Sequence, residues 1–158
     1  MRRVSFHIVL VLAGPGILSH NRAGFGQLPP TPAYHLTAIR AFIFWNGEGT
    51  FSDNVVQDQR GSVSLWNTSS EGTLVVVEVQ GQRGSYVPGR KIQLVARANG
   101  KVILDQTFQL GLFSDVGRYF ASFWLYNARC IPVTLRAHVL GQTDSTSVQG
   151  IIPFDCGE

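Results

Sequence analysis

Few side chains in this 158-residue sequence are of the kinds that do chemistry, and their spacing limits what that chemistry can be. The two cysteines, Cys130 and Cys156, lack the Cys-x-x-Cys spacing of a redox pair and have too few histidines nearby for a metal site. An even pair in a chain that reads as exported is expected to form a disulfide. That bridge would close the 27-residue segment 130–156 and contribute about 3 to 4 kcal/mol through chain entropy. Of the histidines, only His35 and His138 lie beyond the N-terminal leader. Neither stands in a nucleophile pattern such as Gly-x-Ser-x-Gly. The acids are scattered singly, which gives a paired-carboxylate site no support. Glu48, Asp53 and Asp58 occupy turn-rich sequence without the spacing of a calcium loop, and they read as solvated turn acids. The expectation is a non-catalytic protein with no cofactor and no metal. A small secreted hydrolase is the least supported alternative, since it needs a pocket that joins His138 or His35 to a serine and an acid.

The aromatics offer the one binding chemistry. Trp45, Trp66, Trp124, Tyr126, Tyr86 and Tyr119 could present flat apolar faces to sugar rings, as β-sandwich carbohydrate-binding modules do, wherever they lie outside the core. Most are expected inside. Trp66, Tyr86 and Tyr126 are the candidates for an exposed ligand platform, and Trp66, beside a polar loop, is the first of them.

Positioning these groups is the task of the chain beyond its leader. Met1-Arg2-Arg3 is a short basic segment, and the apolar run 4–18 after it is broken at Gly14-Pro15-Gly16, the pattern of a secretory signal peptide. Gly24 and Gly26 provide the small residues that cleavage needs, so 1–26 is assigned as leader, with Ala23 an alternative cut. The run is shorter than the ~20 residues of a spanning helix. No membrane insertion is therefore expected after cleavage, and the location is secreted or periplasmic. The formal charge of +3 comes from 13 basic and 10 acidic residues. Removing Arg2, Arg3 and Arg22 with the leader leaves ten of each, so nothing in the mature charge calls for a nucleic-acid partner.

Residues 27–35 form a Pro-rich arm, with Pro29, Pro30 and Pro32 favouring an extended conformation. Residues 36–158 read as one β-sandwich domain. Strands are expected at 36–45, 62–66, 73–80, 90–98, 101–110, 118–126, 131–140 and 147–154, each from period-two alternation bounded by turn residues. Asn99-Gly100 between two alternating runs predicts a type I′ hairpin. The segment 118–126 is bulky on both sides, which predicts a central strand covered on both faces. Asn67-Thr68-Ser69 is formally a glycosylation sequon.

Tyr86-Val87-Pro88-Gly89 running into an alternating strand resembles the Tyr-x-Pro-Gly entry of extracellular immunoglobulin-like sandwiches, over 86–110. With seven to eight strands and no amphipathic helix, the expected fold is an all-β, antiparallel immunoglobulin-like β-sandwich, and its one expected disulfide, Cys130–Cys156, lies outside the resembling segment and is not the immunoglobulin inter-sheet bridge. The expected role is structural or protein-interacting, with a protein or glycan at the cell surface as partner. Recognition would fall to the loops 46–54 and 81–89 or to an open sheet edge.

Overall fold

The computed structural model describes residues 31–56, 63–64, 72–126, 130–143 and 146–155. The leader 1–26, Asp58, Trp66, Asn67 and Cys156 fall outside those residues.

All regular structure among the described residues is β. In chain order the strands are β1 (His35–Trp45), β2 (Thr50–Phe51), β3 (Val63–Ser64), β4 (Gly72–Gln80) and β5 (Lys91–Ala98). They continue as β6 (Lys101–Gln109), β7 (Arg118–Tyr126), β8 (Val133–Leu140), β9 (Ser147–Ile152) and β10 (Phe154–Asp155). Two antiparallel four-stranded sheets carry the fold, in the orders β2-β1-β4-β7 and β6-β5-β8-β9. A short parallel pairing of β10 with β3 stands apart from them. No helix of the described residues is long and apolar enough to cross a membrane.

Alternation explains the core directly. In the first sheet Ile39, Ala41 and Ile43 align with Val77, Val75 and Thr73 across β4, and then with Ala121, Phe123 and Leu125 on β7; all are buried. In the second sheet Ile92, Leu94 and Ala96 align with Val139, Ala137 and Leu135, also buried. The two inner faces merge into one apolar cluster, so the arrangement is sandwich-like.

The hairpin forms as its sequence predicts. Asn99 and Gly100 have φ of 48° and 74°, the positive pair that a type I′ turn requires. Strand β7 differs from expectation. Among the described residues it pairs with β4 alone, at the edge of its sheet, and its outer residues Phe120, Ser122, Trp124 and Tyr126 are exposed. Bulk on both sides of this strand reflects a core on one face and an open apolar surface on the other.

Tyr34, placed by its sequence in the Pro-rich arm, is fully buried. Its hydroxyl accepts a hydrogen bond from the Val87 backbone N–H at 3.0 Å, and its backbone bonds both ends of the Gln142 side-chain amide. Arg90 stacks 4.8 Å over its ring and donates to the Pro32 carbonyl and to Gln142. These contacts tie residues 32–34 to the sandwich.

Candidate functional site

The outer face of the β2-β1-β4-β7 sheet carries a run of aromatic rings. Because side chains alternate, register places Phe44, Gly72 and Tyr126 in one row and Phe42, Leu74 and Trp124 in the next. Strand β2 adds Phe51 beside Phe44. The rings touch in sequence. Phe44 and Phe51 have centroids 5.1 Å apart, Phe51 and Trp124 6.2 Å, and Trp124 and Tyr126 6.1 Å with only 15° between their planes.

Gly72 is what lets the last two rings lie low. A Cβ at that position would stand 3.2 Å from Cε3 and Cζ3 of Trp124 and 3.6 Å from Cε1 of Tyr126. The indole and phenol therefore occupy the space that a side chain at position 72 would take. Trp124 is 39% exposed, Phe51 47% and Tyr126 61%. An exposed apolar surface of this kind is uncommon on a monomer and marks a place of contact.

Polar groups border the platform. Arg40, Val76 and Ser122 form the row beside Trp124, and Arg40 Nη2 contacts Glu78 Oε2 at 3.1 Å. Arg118 reaches the other oxygen of Glu78 at 3.7 Å. Glu78, nearly buried, is thus shared by two exposed cations and offsets one of their two positive charges. At the far end the Thr50 hydroxyl donates to Glu48.

The residues singled out by sequence are not brought together. Tyr126 belongs to the platform. Tyr86 is exposed on the loop that leaves β4 at Gln80, and Gln80 lies eight residues, about 26 Å at 3.3 Å per residue, along the strand from Gly72. Trp66 lies outside the described residues. Sequence reading counts Trp124 among the aromatics without choosing it for the platform, and it misses Phe51 altogether. The signal that could have selected Trp124 is its i, i+2 spacing with Tyr126 on a strand already apolar on its other face.

The two histidines among the described residues lie on different sheets. His35 is exposed at the start of β1. His138 faces Ser147 across β8 and β9, in a surface groove on the outside of the second sheet. Asp105 is the nearby acid, but strand β5 stands between it and β8, and its Oδ1 accepts from Gln93 Nε2 at 2.6 Å. No hydrogen bond among the described residues joins His138 to Ser147 or to a carboxylate. No group of three or more His, Cys, Asp or Glu side chains among the described residues is placed to hold a metal. No cysteine among them is a free thiol, Cys130 included.

No protein-family model matches the chain, and no curated protein matches it in sequence. The functional reading rests on the geometry of its surfaces.

Proposed function

We propose that this protein is a non-catalytic, extracytoplasmic recognition module of immunoglobulin-like architecture that binds carbohydrate on the aromatic face of its β2-β1-β4-β7 sheet. The observation that carries the reading is the run of exposed rings Phe51, Trp124 and Tyr126, the last two packed over Gly72. Pyranose rings present apolar C–H faces that lie flat on aromatic rings, while their hydroxyls take hydrogen bonds from groups at the border such as Arg40 and Ser122. A platform open along the sheet suits a chain of sugars better than one small molecule.

Strand order supports the immunoglobulin-like reading. With β1, β4 and β7 as strands A, B and E, and β5, β8 and β9 as C, F and G, β6 takes the C′ position beside C. Export is inferred from the basic and apolar pattern of 1–26, and a Cys130–Cys156 bridge is proposed as its consequence. In intact-mass measurement under non-reducing conditions, the exported protein should be lighter by two hydrogens than after reduction. Equal masses would remove the bridge from the proposal.

A second reading keeps the recognition role but makes a protein the partner, through the same apolar face. Affinity electrophoresis of the full chain in gels containing soluble neutral polysaccharides separates the two. Retardation by one or more polysaccharides is expected. Unretarded migration in all of them, together with dimeric mass in light scattering, would favour the protein-binding reading and end the carbohydrate one.

A further inference from the structure

The opposite outer face, on the β6-β5-β8-β9 sheet, has a different chemistry. Register places Gln93, His138 and Ser147 in one row, Val95, Arg136 and Gln149 in the next, and Arg97, Thr134 and Ile151 in a third. All of these except Gln93 and Ile151 line a groove of about 610 Å³, a size that accommodates a small ligand. Its floor centres on Val95, and exposed Arg97 and Arg136 stand as diagonal neighbours on adjacent strands, about 7–8 Å apart by strand geometry. Lys91 adds a third cation at the end of β5, two rows from Arg136. Among the described residues the one acid on this face, Asp105, is engaged by Gln93. Arg40 and Arg118 of the other sheet share Glu78, whereas Arg136 makes no ion pair or side-chain hydrogen bond among the described residues. Arg97 only reaches the Gly100 carbonyl at 3.3 Å. The formal charge of the mature chain is near zero, so this excess of positive charge is local.

We propose that this groove is a second binding site, one that takes the oxyanion of an acidic sugar, a carboxylate or a sulfate ester on a polysaccharide. Guanidinium groups present paired donors that match the geometry of such oxyanions. Thr134, Ser147 and Gln149 supply the neutral donors and acceptors that sugar hydroxyls need in the same groove. Nucleic acid is a poorer match, because single strands are held by aromatic stacking beside the cations and every ring of the platform is on the other sheet. The site depends on the second sheet alone and stands or falls separately from the aromatic platform.

Dextran and dextran sulfate differ only in the ester group, and polygalacturonate supplies the carboxylate. Binding of the full chain to dextran sulfate or polygalacturonate is expected at low salt, weakening as salt rises, with no contribution from unmodified dextran on this face. Arg136→Ala and Arg97→Ala should each weaken it about tenfold or more, and Gln149→Glu, which puts a negative charge in the groove, should do the same. Trp124→Ala should leave it unchanged. All three groove positions are exposed, so thermal unfolding of these variants should match the parent. Failure to bind either acidic polymer would overturn the proposal, as would undiminished binding by the arginine variants. Binding to duplex DNA or phosphatidylserine vesicles without binding to the acidic polysaccharides would also overturn it.

Discussion

Trp124→Ala is expected to weaken binding to a retarding neutral polysaccharide at least about tenfold, a loss of ~1.4 kcal/mol, with little change in stability. Trp124 holds the middle of the run, 6.2 Å from Phe51 and 6.1 Å from Tyr126, so its removal separates the two remaining rings as well as deleting one. Central aromatics of this kind dominate binding energy at recognition surfaces. The side chain is 39% exposed and lies outside the core cluster, so unfolding free energy should fall by no more than about 1 kcal/mol. Trp124→Phe should keep part of the affinity, and Tyr126→Ala combined with Trp124→Ala should abolish it. Full retention of affinity in the double variant, measured beside an unchanged melting curve, would show that the platform is not where the sugar sits.

The opposite pattern is expected at Phe113, with stability lost and the binding surfaces spared. Phe113 is 1% exposed and packs on Tyr34 with ring centroids 4.5 Å apart and on Tyr119 at 5.8 Å. Gly81 leaves it room, since a Cβ there would come within 2.7 Å of the ring. The same residue joins two loops through its backbone, donating to the Ser85 carbonyl at 3.0 Å and accepting from Gly84 N–H at 3.1 Å. Phe113→Ala keeps those backbone bonds but opens a cavity beneath them, which should cost about 3–5 kcal/mol and lower the melting temperature by roughly 10–20 °C. Leu112→Ala next to it, 64% exposed, should change stability by less than ~0.5 kcal/mol. A Phe113→Ala variant melting within a few degrees of the parent would mean that this ring does not close its end of the sandwich.

The inner faces of the sandwich were readable from alternation alone, because Ile39, Ala41, Val75, Val77, Ile92 and Leu94 repeat at the period of the pleat. The Asn99-Gly100 turn was readable for a similar reason, since few residue pairs tolerate its backbone. Alternation fails where a strand is apolar on both sides. Along 118–126 it cannot tell a covered outer face from an exposed one, and the difference depends on β7 having β4 as its one described neighbour. Tyr34 shows the converse. Three prolines nearby read as an arm, yet the burial of Tyr34 depends on Gln142, Val87 and Phe113, residues 53 to 108 positions away in sequence. Phe51 was hidden by its surroundings, because a glycine-rich turn gives no hint that one ring returns to the sheet. The groove on the second sheet was invisible for a different reason. Arg97, Arg136 and His138 look like isolated polar residues on separate strands until register aligns them.

Strand β6 is also an outer strand, and its pairing with β5 skips a residue. Arg97 lies opposite Val102 and Ala96 opposite Leu104, so Ile103 has no counterpart. A strand from another molecule arriving along that side would meet a ladder out of step and a bend in the chain, with Lys101 and Asp105 exposed along it. Growth of a fibril by joining sheet edge to sheet edge is therefore hindered there, even though Val102 and Ile103 leave apolar surface in view. Crowded copies of the domain are then less prone to join through β6.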